Sequence, residues 1–139
     1  MALIRVTHLS DDAFQIDVRG HHLIVDQPSR NQDEAGPTPV ELFVASLVAC
    51  AGFYAERFMR RHGLAYEGLQ IHGEWAMRAG QPARVSRVAM RVMPPAPIPA
   101  ELREQLLAAI DMCTVTNSLR EPPAIAVDIA TLPVTGGVA

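Results

Sequence analysis

The sequence has few aromatic residues, few cysteines and no long run of one charge, and each shortage excludes a class of protein. Aromatic residues make up 5% of the chain and hydrophobic residues 49%, so the core must be built from aliphatic side chains and methionine. The net charge of −3, without a cluster of basic residues, argues against nucleic acid as a partner. Two cysteines favour free thiols or a transient disulfide over a structural cross-link.

The sequence also shows no signal for export and no stretch typical of a membrane span. Residues 1–7 lack the charged start, the apolar run and the cleavage site of a secretory signal. Glu41 and Glu56 bracket the longest apolar stretch, which therefore falls short of the roughly 18–20 uncharged residues of a membrane span. We expect a cytoplasmic protein that does not enter a membrane. Its length predicts a single domain over residues 1–139.

Alternation of apolar and polar residues predicts strands in three parts of the chain. They fall at residues 3–8, 14–19, 22–26, 69–77, 85–93 and 124–129. The first three would form an antiparallel meander, and the last would close the fold after a proline pair. Residues 27–38 show no periodicity and are predicted to form a surface loop.

A long central helix is predicted to begin after Thr38. Threonine is a good N-cap, Pro39 suits the first helical position, and Glu41 completes a capping box. Gly63 is a suitable stop. Apolar residues occupy most sides of the first half of this helix, which indicates that it is buried on most sides.

The two cysteines lie on the predicted inner faces of two helices. Cys50 stands in the apolar half of the central helix, and Cys113 continues the apolar spacing of a second helix that opens at Pro99. Their separation of 63 positions (113 minus 50) does not fit a CxxC motif or a zinc site. Each cysteine, taken alone, could be a small residue of the core. Their joint placement on two inner helix faces favours a contact between them. A reactive thiol would need a nearby cation, and Arg19 and Arg30 are candidates unless they are surface residues.

The remaining polar residues give no metal or cofactor motif. Glu41 has two interpretations, because it could serve only the capping box or could also orient an arginine over the thiol or transfer a proton. His21 and His22 are neighbours in a strand and point to opposite faces, so they cannot easily share a metal. No Ser-His-Asp order, glycine-rich phosphate loop or HExxH motif occurs. We therefore predict no cofactor and no metal.

Two motifs around the cysteines, with a shorter upstream match, carry a resemblance to a known family. They are GPTPVELFVASLVAC at residues 36–50, CTVTNSL at 113–119, DVRGHH at 17–22 and DQP at 26–28. Together they resemble the OsmC/Ohr family over most of the chain. The branch of organic hydroperoxide resistance proteins has its glutamate one position earlier, where this chain has Val40, and one position turns a helical side chain by about 100°. The chain is therefore more similar to the general OsmC-like branch.

The resemblance implies an α+β fold in which antiparallel sheets wrap around two central helices of an intertwined homodimer. It also implies a peroxidase for oxidative stress defence, in which Cys50 attacks an organic hydroperoxide and becomes a sulfenic acid. Cys113 would then resolve it as a disulfide, and a dithiol reductant, such as a lipoyl-type group, would restore the thiols. In this scheme Glu41 and Arg19 polarise the first thiol. The alternative is an OsmC-like protein without peroxidase turnover that binds a small apolar molecule between its helices.

Overall fold

A computed structural model describes residues 2–29 and 33–133 of the chain and shows an α+β fold with antiparallel sheets. Its elements are β1 (Arg5–Ser10), β2 (Ala13–Val18), β3 (His21–Val25), α1 (Pro39–Arg61), β4 (Gln70–Arg78), β5 (Arg84–Met93), α2 (Ala100–Asp111) and α3 (Thr114–Arg120). Five of the six predicted strands and the central helix are therefore confirmed. Arg30, one of the two candidate cations, lies outside the described residues.

The strands form one meander and one hairpin. In the meander β1 pairs with β2 and β2 with β3, so that Phe14 lies opposite both His8 and Val25. Arg19 and Gly20 form the two-residue connection of β2 to β3, and both have positive φ angles of 46° and 82°. A tight hairpin turn of this kind requires positive φ at both central residues. The turn therefore places Arg19 at the tip of a hairpin.

The first turn of α1 is closed by the predicted capping box. Thr38 Oγ1 accepts a hydrogen bond from the N–H of Glu41 at 3.1 Å, and Glu41 Oε1 accepts one from the N–H of Thr38 at 2.9 Å. These bonds satisfy two backbone donors that have no partner within the helix. At the other end the helix stops at Arg61, two residues before Gly63, whose φ is 64°. The boundaries predicted from capping chemistry are confirmed.

The buried core lies where α1 meets α2 and the β4–β5 hairpin. It is centred on Ala55, Phe58, Met59 and Leu106. The contact of α1 with β4 is close at Gly73, where an added Cβ would lie 2.4 Å from Cγ2 of Val48. By length and composition α1 would also pass as a membrane-spanning helix, and 33% of its apolar window is buried within the chain. That buried part packs on β4, β5 and the other helices.

The second predicted helix ends before Cys113, and a further helix that the sequence did not predict, α3, follows it. α2 ends at Asp111, where the N–H groups of Met112 and Cys113 bond to carbonyls only three residues back, those of Ala109 and Ile110. Such tightening is common in a last helical turn. The chain then turns at Cys113, whose ψ of 124° is extended, and α3 begins at Thr114. The apolar spacing predicted that Cys113 belongs to the second helix, but it lies after the end of α2. It is buried, as expected.

The predicted last strand at residues 124–129 is wrong for the single chain. Residues 121–133 contain no strand, and Ile125, Val127 and Ile129 are 86%, 90% and 99% exposed. The alternating pattern is suitable for a strand, but a strand also needs a neighbour to complete its ladder of hydrogen bonds. No strand among the described residues supplies that neighbour. All six residues of β1 are likewise exposed.

Candidate active site

The packing of α3 against α1 brings the two cysteines together. Cys50 is half-buried in the middle of α1, and Cys113 is 1% exposed just before α3. Both are free thiols, and they lie close enough for each to shift the pKa of the other. The joint placement that the sequence suggested is therefore present in the folded chain.

The turn that opens α3 lies beside this thiol pair. The backbone amides of Val115 and Thr114 favour the thiolate of Cys50 and act to lower its pKa. The side chain and backbone amide of Thr116, with the amide of Val115, act in the same direction on the pKa of Cys113. Three consecutive residues thus influence the two thiols.

Hydrogen bonds from both helices fix that turn. The hydroxyl of Tyr54, one helical turn after Cys50, lies 3.1 Å from Oγ1 of Thr114. Asn117 donates to the carbonyl of Cys113 twice, from its backbone N–H and from Nδ2, each at 3.0 Å. These bonds hold the turn at Cys113 in position against α1.

The two thiols differ in acidity. Burial raises the pKa of Cys50, the hydrogen bond with Cys113 raises it further, and the N–H groups of Val115 and Thr114 only partly offset these effects. Burial also raises the pKa of Cys113, but the hydrogen bonds from Cys50, Thr116 and Val115 outweigh it, so the pKa lies below the ordinary thiol value.

The predicted charged partners lie apart from the thiols within one chain. Arg19 lines a shallow surface cleft at the β2–β3 turn together with Leu3 and Asp17, and that cleft contains neither cysteine. The carboxylate of Glu41 bonds to the N–H of Thr38. Glu41 also precedes Cys50 by nine residues, which at about 100° per residue places the two side chains on opposite sides of α1. Within the described residues, Cys50 and Cys113 lie together, whereas Arg19 and Glu41 lie away from them.

Sequence reasoning missed Thr116 and Tyr54. A signal existed for Tyr54, because residues four apart share a helix face and it follows Cys50 at that spacing. The position of Thr116 depends on the turn at Cys113, and the apolar spacing, which continues as far as Cys113, conceals that turn. As for metals, residues 2–29 and 33–133 hold no group of three or more His, Cys, Asp or Glu side chains that could bind one.

A largely apolar cleft lies among the helices that carry the thiol pair. Its volume is about 550 Å³, and its lining from α1, α2, α3 and β5 includes Ala51, the residue after Cys50, and Thr116. A neighbouring cleft of about 500 Å³ shares three lining residues with it, Met90, Val92 and Leu107. Apolar space of this size beside a polar group is typical of small-molecule sites.

Comparison with known proteins identifies the family. A sequence model described as OsmC-like protein matches residues 31–128, which include both cysteines and the cap of α1. The chain belongs to the OsmC-like protein family. No curated protein matches this OsmC-like chain by sequence.

Solved structures confirm the OsmC-like fold. A putative osmotic stress induced and detoxification response protein from Psychrobacter arcticus superposes with a TM-score of 0.76 at 21% identity, over 85% of this chain and 88% of that one. The organic hydroperoxide resistance protein OsmC of Legionella pneumophila gives 0.64 at 16% identity, over 86% and 89%. The organic hydroperoxide resistance protein OhrB of Bacillus subtilis gives 0.62 at 20%, over 86% and 92%. At these identities the likeness concerns the fold.

Proposed function

We propose that this OsmC-like chain is a thiol-dependent peroxidase that reduces organic hydroperoxides in oxidative stress defence in the cytoplasm. The observation that carries the proposal is the proximity of the two free thiols, Cys50 and Cys113, where α3 packs against α1. Two neighbouring thiols need little movement to form a disulfide. Two proteins of the same fold, from Legionella pneumophila and Bacillus subtilis, are named organic hydroperoxide resistance proteins, which supports the substrate class.

The more exposed thiol takes the first step. Cys50 loses its proton, and its sulfur attacks the distal oxygen of the hydroperoxide, so that the O–O bond breaks and the alkoxide leaves with a proton as an alcohol. The product is a sulfenic acid on Cys50. The sulfur of Cys113 then displaces hydroxide from Cys50 and forms the disulfide. A dithiol reductant, for which a lipoyl-type group is our candidate, restores both thiols by exchange.

The exposed apolar surface supports a homodimer. Leu107 and Phe53 on two of the helices and Leu132 in the C-terminal segment are more than 60% exposed. Extensive apolar exposure marks an interaction surface. Residues 124–129 alternate as a strand does and have no partner strand among the described residues of their own chain, so a sheet edge of a second copy is the natural complement. We therefore infer an intertwined homodimer in which each copy is one domain over residues 1–139.

The dimer also gives the predicted charged residues a role. Arg19 stands at an exposed hairpin tip, and in the dimer it would serve the thiol pair of the second copy. Glu41 is occupied by the capping box, so a catalytic role would require it to exchange that bond for one to an arginine. Replacing Arg19 by alanine should slow turnover, whereas Arg78→Ala, on β4, should not.

The alternative is a family member that binds a small apolar molecule without turnover. The clefts of about 500 and 550 Å³ between α2, β5 and α1 favour it. The raised pKa of Cys50 favours it as well, because it lowers the thiolate fraction at neutral pH.

A turnover assay separates the two functions. Consumption of cumene hydroperoxide is followed with dihydrolipoamide as reductant, for the wild type and for Cys50→Ser, with Ser46→Ala as a control on the same helix. A peroxidase gives turnover in the wild type and the control and none in Cys50→Ser. Equal background rates in all three, together with uptake of an apolar fluorescent probe, support the binding protein and contradict the peroxidase.

A further inference from the structure

The hydroxyl of Tyr54 joins the two elements that carry the thiols. It lies 3.1 Å from Oγ1 of Thr114, the first residue of α3. Tyr54 follows Cys50 by four residues and therefore shares its face of α1, while Thr114 directly follows Cys113. One hydrogen bond between side chains thus links the helix face that presents Cys50 to the residue next to Cys113.

The ring and the turn on the two sides of this bond are themselves held in place. The guanidinium of Arg57 lies over the ring of Tyr54, with its carbon atom 5.7 Å from the ring centre. On the other side, Asn117 Nδ2 donates to the carbonyl oxygens of Asp111 at 3.2 Å and Cys113 at 3.0 Å, and so closes the turn between α2 and α3. The hydrogen bond of Tyr54 therefore joins two ordered parts and fixes one relative to the other.

Within one chain, apolar packing gives α3 little hold on α1. None of the seven residues of α3 is fully buried: Val115 and Thr116 are half-buried, and the other five are exposed. A helix this short has little stability of its own, so its place depends on its contacts with the neighbouring helix. The hydrogen bond from Tyr54 therefore helps to decide whether the turn at Cys113 stays beside Cys50.

We propose that Tyr54 is a positioning residue for the formation of the Cys50–Cys113 disulfide: its hydroxyl holds α3 on α1 and so keeps the second thiol within reach of the first. This inference rests on the proposed peroxidase function. After a hydroperoxide has oxidised Cys50 to a sulfenic acid, the thiol of Cys113 attacks that sulfur, the S–O bond breaks, and the hydroxide that leaves takes the thiol proton to become water. Tyr54 acts on this second step, because it raises the effective concentration of one sulfur at the other.

The speed of the second step decides the fate of Cys50. A sulfenic acid that meets Cys113 late reacts with a further hydroperoxide, which transfers an oxygen atom and leaves as an alcohol. The product is a sulfinic acid, which thiols do not restore. A tether between α1 and α3 therefore protects Cys50 from irreversible oxidation.

Exchange with dithiothreitol tests the positioning without peroxide. The full chain is equilibrated with mixtures of oxidised and reduced dithiothreitol, and the fraction of Cys50–Cys113 disulfide is measured by alkylation and mass spectrometry. Tyr54→Phe keeps the ring and removes the hydroxyl, so the equilibrium constant for the disulfide should fall about two- to ten-fold, the range expected for one hydrogen bond. Thr114→Val should lower it similarly. Thr114→Ser should keep the wild-type value, and so should Tyr66→Phe, which removes the hydroxyl of a tyrosine packed against the core.

A double variant tests the bond itself. If the two hydroxyls act through each other, Tyr54→Phe combined with Thr114→Val should lower the equilibrium constant no further than either change alone. A wild-type equilibrium constant in Tyr54→Phe overturns the proposal. A double variant that shows the product of the two single effects overturns it as well, because the hydroxyls would then act independently.

Excess hydroperoxide tests the two steps separately. Oxidation of Cys50 by cumene hydroperoxide, measured in chains that carry Cys113→Ser, should be equally fast with and without Tyr54→Phe. In chains with both cysteines, Tyr54→Phe should accumulate sulfinic acid on Cys50 several-fold faster than the wild type, Thr114→Ser and Tyr66→Phe. Equal accumulation in all four chains contradicts the role of Tyr54. If Cys50 of the wild type does not react with peroxide at all, the proposed function fails, and the dithiothreitol equilibrium still decides whether Tyr54 positions the two thiols.

Discussion

The face of α1 that packs on α2 and β4 encloses its apolar side chains, whereas β1 and the C-terminal segment expose theirs. Ala55 and Met59 on α1 are fully buried, but Ile129 is 99% exposed. Both regions have sequence patterns suited to burial, so the difference lies in whether the partner surface belongs to the same chain. An apolar pattern that has no partner surface in its own chain indicates an interface with another chain. Substitutions in the buried face of α1 and in the exposed C-terminal segment should therefore have different effects.

The largest effect is expected at Ile129. In the proposed dimer its side chain is buried against a second copy, and Ile129→Asp would place an unpaired charge there. We expect this substitution to convert the dimer to monomer, as measured by sedimentation velocity. Asp128→Asn, at the neighbouring position of the alternating pattern, is the control and should remain dimeric. A monomeric wild type, or an Ile129→Asp chain that dimerises as tightly as the wild type, contradicts the proposed interface.

Met59 tests the buried core on α1. This side chain is fully buried among Ala55, Phe58 and Leu106. Met59→Ala should lower the free energy of unfolding by about 2–5 kcal/mol, because it removes buried contacts and leaves a cavity. Met112→Ala, the same change at a methionine that is 67% exposed, is the matched control for urea unfolding. Equal losses at the two positions would show that the core does not lie where we place it.

Two glycines on facing elements report on the α1–β4 contact. A Cβ at Gly73 would lie 2.4 Å from Val48 Cγ2, whereas a Cβ at Gly52 would lie at an ordinary 3.5 Å from Ile71. Gly73→Ala should therefore cost about 1–3 kcal/mol through overpacking. Gly52→Ala, within the helix, should be neutral or stabilise by up to about 1 kcal/mol. Thermal unfolding that ranks the two variants in the reverse order would contradict the close approach of α1 to β4 at Gly73.

The smallest effect concerns the cap of α1. Thr38→Ala removes an acceptor for the N–H of Glu41 and should cost about 0.5–2 kcal/mol. Glu41→Gln keeps an oxygen that can accept from Thr38, so its stability should change less. Peroxidase turnover then separates the two interpretations of Glu41. Unchanged turnover in Glu41→Gln indicates a residue that only caps, and a large loss at unchanged stability indicates a catalytic carboxylate.

Much of the fold could be predicted because its signals are local. The start of α1 follows from the chemistry of Thr38, Pro39 and Glu41, and the strands follow from alternation. The break before α3 could not be predicted, since Cys113 continues the apolar spacing of α2 although the chain turns there. The strand at residues 124–129 failed for another reason, because no described strand of the single chain lies beside it.

The candidate site also has a part that could be predicted from local patterns and a part that could not. The meeting of Cys50 and Cys113 was predicted from two apolar faces, which are local patterns. The turn of α3 beside them could not be predicted, because Cys113 continues the apolar spacing of α2 and Thr116 comes near the thiols only through that turn. The catalytic roles of Arg19 and Glu41 were assigned by resemblance. Whether Arg19 approaches a thiol pair must be tested in the dimer, where it could reach the pair of the second copy.

The central claim is that Cys50 and Cys113 form a redox pair that an organic hydroperoxide oxidises. Its most direct test is the mass of the reduced wild-type chain after one equivalent of cumene hydroperoxide. We predict the loss of the two hydrogen atoms that a disulfide requires, with a Cys50–Cys113 peptide after digestion, and an added oxygen on Cys50 in Cys113→Ser. A wild-type chain that keeps both thiols reduced after this treatment would contradict the claim.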